Sequence, residues 1–501
     1  MAALLLGGAM APVFAADVKN LSVTVSSGTQ ANAYGGYTIE EGASALQNAL
    51  TLSGPAKVLG ASAGGWSRWG NAEWNTLTIR LDEDGLLGPS DIVGGGVAES
   101  EGGGAAVHNT VYIESGTVEG TVEGGVAVGI NGVGDGTGDV LSNQVTMSGG
   151  TVYSVFGGET GEGNANDNVV TIKGSAAVTG KSNEVYGGYT IDGNASGNIV
   201  NIEDDADFHG EIMGGYTRAG SLISGNKVNV TGGNVNENTV YGVYTAYGDV
   251  LDNQAVIKGT GQAGSSDTNS VYAGFTNIGA AAGNILYIQD SAEIAGSAFA
   301  GYQGGFISSE TVERNQVFMS GGSVGGDLTG GGSNNGGETL NNYVEITGGT
   351  VSGNVYSGFT DSADALENTL TVAGGRVEGS LFGGYSNTGT ANENKLTFSA
   401  GTAGSDAYGG YAQEGADGNE AVLSGTSVLE GNAAGGSSAR GEASGNSLTI
   451  KENSEVKGDA AGGDVYMGTI SKNIITIQYN AKADGNVYGG IQQIDPALLE
   501  S

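Results

Sequence analysis

Side chains able to do acid–base chemistry are abundant in this chain but one-sided. Fifty-four aspartates and glutamates stand against 17 lysines and arginines and two histidines. Two carboxylates facing one cleft can hydrolyse a glycosidic bond, and carboxylates holding Ca²⁺ beside an Arg or Lys base can cleave an acidic polysaccharide. The basic half of the second arrangement is thinly spread, because Arg68, Arg80, Arg218, Arg314, Arg376 and Arg440 fall in different parts of the chain. His108 and His209 are likewise separated, which leaves little for a His-based triad or a zinc centre, and no His-Glu-x-x-His motif occurs. Catalysis is therefore not expected, with a polysaccharide lyase or hydrolase kept as the alternative. The formal charge of −37 argues against nucleic acid or anionic lipid as a partner, since either demands clustered cations.

Two weaker groups invite a binding role. Trp66, Trp69 and Trp74, with Arg68 among them, are the only tryptophans of the chain. Trp66 falls in a repeating aromatic position and reads as core. Trp69 and Trp74 fall in a variable loop, where a repeat has no structural need of a large ring. They and Arg68 are candidates for stacking on a sugar or docking a protein, against the plainer reading that they pack a long loop. The second group is acidic: Glu159, Glu162 and Asp167, and again Asp361, Asp364 and Glu367, recur in corresponding loops. Such loops would align along one edge, where the carboxylates either solvate the surface or bind Ca²⁺ weakly. Gly132–Asp139 faintly echoes a calcium-binding glycine-rich turn but stands alone. No other cofactor is implied.

The elements that must carry these residues are repeats. A block opening with Asn and closing with aromatic residues is clearest in Asn342-Tyr-Val-Glu-Ile-Thr-Gly-Gly-Thr-Val-Ser-Gly-Asn-Val-Tyr-Ser-Gly-Phe359. Opening asparagines run from Asn20 to Asn473 in seventeen copies, a mean period near 28 residues. That period marks a solenoid whose copies cannot bury their apolar faces singly. After each Asn an x-Φ-x-Φ alternation, as in Leu370 and Val372, reads as a half-buried strand. A Gly-Gly break, a short strand around a Val and a third piece such as Val185-Tyr-Gly-Gly-Tyr189 complete three strands and three bends. The expected fold is all-β, a right-handed single-stranded parallel β-helix of about 17 coils, with no helical periodicity anywhere. Seventeen coils at roughly 4.8 Å each make a rod on the order of 80 Å long. Residues 55–108 are the least regular part.

Two further columns follow from the register. Asparagines such as Asn168, Asn198, Asn226, Asn342, Asn368 and Asn394 are expected in the left-handed region at a bend, each amide bonded to the next coil's. Aromatic residues form two columns three residues apart, typified by Tyr186 and Tyr189, with the glycines between them forcing a bend. These rings either fill a corner of the core or form an exposed strip that binds sugars or protein.

At the N-terminus, the apolar Ala2–Ala11 is too short to span a membrane, and Val13-Phe-Ala15 offers small residues for cleavage after Ala15. Residues 1–15 thus read as a secretory leader, lacking the usual basic start, which would fit a truncated beginning. Residues 16–495 are the solenoid and 496–501 a non-repeat tail. The absence of cysteine agrees with a fold held by stacked backbone bonds rather than disulfides.

Taken together, the tandem Asn-x-Val-x-Ile-x-Gly-Gly-x-Val-x-Gly-Asn-Val-Tyr-Gly-Gly-Tyr pattern, the leader and the lack of cysteine resemble glycine-rich passenger domains of bacterial type V autotransporters. The likeness covers about residues 20 to 490. It implies display on, or secretion from, a Gram-negative cell, often with adhesion to a host or bacterial surface glycan or protein, or self-association as a stalk or filament. It also implies membrane attachment only through a translocator barrel, which this sequence does not contain. It carries over no site residue. If Trp69 and Trp74 form a binding patch, changing both to Ala abolishes ligand binding and leaves the melting temperature in place; a large loss of stability would make them packing residues instead.

Overall fold

The computed structural model describes residues 16–89, 92–99, 103–129, 135–179, 184–208, 210–236, 239–264, 270–305, 309–334 and 336–493. The leader, the 496–501 tail, His209 and the start of the 132–139 turn lie outside them. Among the described residues the regular elements are strands, with no helix, and they stack in parallel as a β-solenoid of about 17 coils.

One coil shows why the repeat folds as it does. Tyr343–Ile346 is the first strand, Thr350–Val351 the second, Val355–Thr360 the third and Ala365–Leu366 a fourth. The next coil repeats them in register, pairing Val344 with Leu370, Val351 with Val377, Val355 with Leu381 and Ala365 with Ala391. Inward residues such as Leu370, Val372, Val377 and Leu381 are buried and join one apolar cluster running from Ala33 to Ala460. The fourth strand corrects the expectation of three. It is only two residues long and often centred on alanine, so no hydrophobic alternation betrays it.

The asparagines sit at the corner between the fourth strand and the first, buried in coil after coil. For Asn368, Nδ2 donates to Asn394 Oδ1 at 3.0 Å and to the Thr339 carbonyl at 2.9 Å. Its Oδ1 accepts from both the backbone N–H and the Nδ2 of Asn342, each at 3.0 Å. Both amide donors and both lone pairs are thus used, the condition for burying such a group without penalty. The same bonds link Asn168, Asn198, Asn226, Asn342, Asn368 and Asn394 with their neighbours from Asn48 to Asn473. The spacing between successive members varies from 25 to 34 residues without breaking the chain of bonds. The irregular 55–108 stretch therefore absorbs its extra residues in turns.

Two corrections attach to this column. The left-handed residue is the one before the asparagine: Gln47, Trp74, His108, Asp167, Glu367 and Glu393 all have φ between 55° and 58°. Turning there lets the next side chain point inward. Asn20 occupies that turn position rather than the ladder, where Leu21 stands and donates its N–H to Asn48 Oδ1 at 3.1 Å.

The Gly-Gly of the third strand is required by this amide column. A Cβ on the second glycine, as at Gly188, Gly358 or Gly384, would collide with the asparagine that follows it, Asn198, Asn368 or Asn394. A Cβ on the first, as at Gly383, would strike the carbonyl of Gly409 in the next coil. Where Val243 replaces the second glycine, the Asn253 bond to the Ile223 carbonyl stretches to 3.4 Å. Replacing Asn342 by Ala should strand the Asn315 N–H groups and the Val312 carbonyl and remove one of the two bonds to Asn368 Oδ1, at about 1–3 kcal/mol for each buried group left unsatisfied. A urea midpoint measurement should show a large loss for this variant and a smaller one for Asn473→Ala at the end of the column; equal, negligible losses would mean the ladder contributes nothing.

Candidate functional site

The most extended repeated feature outside the central cluster is the pair of aromatic columns. Strand pairing skips the first glycine of each third strand, matching Tyr356 with Phe382 and then Gly358 with Gly384. This half-step reverses the alternation, so the rings on either side, three residues apart, both face outward. None of them belongs to the central apolar cluster. The rings thus stack on the outer side of the coil, in smaller clusters of their own where Trp66, Phe156, Tyr186 and Phe382 are buried. Tyr189, Tyr216 and Tyr244 lie nearly parallel at 4.9 and 5.7 Å, and Tyr272 and Phe299 at 5.0 Å. Across the two columns, rings meet edge to face, as Tyr272 and Phe275 do at 5.1 Å. Most are half-buried by one another, and Tyr37 is left 47% exposed. The strip is interrupted where Thr329 and Gly332 take the ring positions.

The strip has an acidic section. Glu123 and Glu159 occupy ring positions, paired in register with Phe156 and Tyr189 respectively. Glu159 hydrogen-bonds to Glu123, and burial, helped by the charge of Glu184, raises its pKa to about 7. Burial also raises Glu184 and Glu211, which stand side by side in register on consecutive coils. Tyr189 is pushed up to about 12, first by burial and then by neighbouring Tyr216 and the glutamates, so its hydroxyl stays protonated. Between Glu184, Glu211 and Tyr186, Tyr189, Tyr216, Tyr241 and Tyr244 lies a groove of about 460 Å³, floored by Met213. Met213 stands in the first ring column between Tyr186 and Tyr241, so the groove opens where that column lacks a ring.

The candidates singled out in the sequence are placed as follows. Trp66 is buried beside Tyr34, at 5.4 Å edge to face. The Arg68 guanidinium lies 5.8 Å from the centre of the Trp69 ring and its Nε 3.9 Å from Glu99 of the next coil. Trp74 is 55% exposed at a left-handed turn, stacked on His108 at 4.1 Å. Trp69 and Trp74 precede and follow the two-residue strand Ala72–Glu73, and no ring contact joins them among the described residues. The acidic sets are not drawn together. Asp364 Oδ1 accepts the Thr390 N–H at 2.8 Å, and Asp361 accepts from Asn387 Nδ2 at 2.8 Å. Asp167 and Glu367 occupy the left-handed turn, Glu162 is exposed and Glu159 lies in the strip. Among the described residues no three His, Asp or Glu side chains converge as a metal site requires.

Several features escaped the sequence reading. Glu123 and Glu159 replace rings in the aromatic register, and aligning copies by their Gly-Gly would have exposed both. A Thr or Ser directly after the second ring forms another buried polar column, with Thr190 Oγ1 bonding the Gly163 carbonyl at 2.8 Å and Ser386 Oγ that of Ala363 at 2.6 Å. Outer corners carry further side-chain-to-backbone bonds between coils, such as Asp327 to Asn354 N–H at 2.7 Å and Asp406 to Asn432 N–H at 2.7 Å. Gly60-Ala-Ser62-Ala-Gly64 also fits the spacing of a nucleophile elbow, but Ser62 is fully buried within a strand.

Comparison with protein-family models, with curated proteins and with solved structures finds no match to this chain. What it does has to be argued from the strip itself.

Glu159 supplies a pH test. Its folded pKa lies above the ordinary carboxylate value, so between about pH 4.5 and 7 the folded state holds a proton that the unfolded state has lost. Stability should fall as pH rises through that window and level off above it. Glu159→Gln should flatten this dependence and be the more stable form above pH 7, read by denaturation midpoints across the window. An unchanged slope would show that the carboxyl titrates normally.

Proposed function

We propose that this chain is a non-catalytic binding scaffold of the autotransporter-passenger kind, a secreted or surface-displayed adhesin of a Gram-negative cell. Its working face is the outer aromatic strip. The observation that carries this reading is the placement of two ring columns outside a core that is already complete without them. Large aromatic side chains on a soluble surface are costly to display and are the groups best suited to binding, because they offer contact area at low entropic cost. Repetition along the rod makes each contact weak and the sum strong, which suits a partner that is itself repetitive or densely displayed, such as a surface glycan or protein.

Attachment to a membrane, in this reading, is through a translocator barrel outside this sequence. Exposed Trp74, with Arg68 and the partly buried Trp69, would add a local contact near the N-terminal coils. Purified residues 16–501 presented to immobilised glycans, matrix proteins and bacterial cells should bind saturably and release no sugar into the supernatant. Phe359→Ala with Tyr385→Ala should weaken that binding at least several-fold with little change in fold. Released oligosaccharide would instead make the chain an enzyme, and binding untouched by the ring substitutions would move the working face elsewhere.

A further inference from the structure

The strip is not uniform, and the groove over Met213 is lined by carboxylates as well as rings. Resting on the reading of the strip as the binding face, we propose that the groove over Met213 takes arginine side chains of a basic, extended segment of a partner protein. The chemistry of the lining points to a cation. Five tyrosines present ring faces and edges, and Glu184 and Glu211 stand at the same register position on consecutive coils. Ring faces attract cations through their quadrupole, and a carboxylate beside them adds the counter-charge.

Among the described residues, the lining holds no cation to satisfy these carboxylates. Glu184 interacts with Tyr186 and feels Glu211, and among the described residues no ion pair is formed by either glutamate. Arg218, near Tyr216 and Tyr189, is held by Asp192 at 2.8 Å. Elsewhere on the rod, some basic side chains are matched with acids across coils, as in Arg80–Glu114 at 2.7 Å and Lys395–Glu420 at 2.9 Å. Two neighbouring carboxylates left side by side repel each other, and both are raised by burial, so a cation placed between them relieves a standing cost.

Guanidinium fits this lining better than ammonium. It is planar, stacks on tyrosine and presents a fork that matches a carboxylate, whereas an ammonium is a strongly hydrated point charge. The groove, at about 460 Å³, also exceeds the space of a single side chain, and the parallel coils repeat every roughly 4.8 Å, so an extended segment can place successive side chains along it. A neutral sugar would gain the ring contacts but would have no use for two adjacent carboxylates.

The test uses the chain of residues 16–501 and a short arginine-containing peptide, with lysine and citrulline versions of the same sequence. Titration calorimetry should rank arginine above lysine, with citrulline at least tenfold weaker, and the arginine affinity should fall as salt is raised. Glu184→Gln with Glu211→Gln should cost the arginine peptide at least tenfold. These substitutions remove repulsion and leave shape intact, so the melting temperature should not fall. Equal binding of the citrulline peptide, or full affinity in the double Gln variant, would overturn the proposal. Surface binding lost in Phe359→Ala with Tyr385→Ala but kept in the double Gln variant would leave the strip reading standing and refute the groove assignment alone. Binding of a neutral glycan in the groove, unaffected by the Gln changes, would reassign its occupant.

Discussion

One buried amide per coil is the constraint from which the rest of the molecule follows. An asparagine inside a β-solenoid is affordable only if its two N–H donors and two lone pairs all find partners, and stacking identical corners is the arrangement that provides them. The column from Asn48 to Asn473 does so with bonds of 2.9–3.2 Å between side chains. Because each member bonds a side chain and a backbone group in neighbouring coils, the register of every coil is set at this corner. Turn lengths elsewhere are then free to vary, which is how steps of 25 and 34 residues coexist in one stack.

The same amide dictates what faces it. In most coils the second glycine of the third strand is bare because an asparagine fills the space of its side chain, and the first position holds only Gly, Ala or Ser because the next coil's carbonyl approaches there. Skipping a pairing at the first glycine reverses the alternation of inward and outward residues. Two aromatic positions that a regular strand would place on opposite faces therefore emerge on the same outer face. The working surface proposed for this chain is, in that sense, a by-product of the packing of its core: the glycines that make room for the ladder in most coils also expose the rings beside them.

Charge follows a similar division. Most of the acidic excess lies at turns, where carboxylates such as Asp364 and Asp406 accept backbone N–H groups between coils. Those carboxylates hold the stack together. The glutamates of the strip are different, because they sit among rings and are desolvated there, which raises their pKa values. Position within the coil, rather than residue type, separates a structural acid from one that a ligand could use.

The repeat, the alternating first strand, the inward column of asparagines and the existence of two aromatic columns were all legible in the sequence, because each depends on spacing along one chain. The fourth strand was not, being two residues long, and neither was the left-handed turn at the residue before each asparagine, where Gln, Trp, His, Asp and Glu all occur. The sequence by itself determined that the chain stacks, with what period, and with which residues in line. Only the tertiary structure decided which side of the coil the rings occupy, since that turns on a half-step in pairing at one glycine. It also decided which few of 54 acidic residues stand together in a groove, since neighbours across coils lie some 25 to 34 residues apart in the chain and turn lengths vary between them.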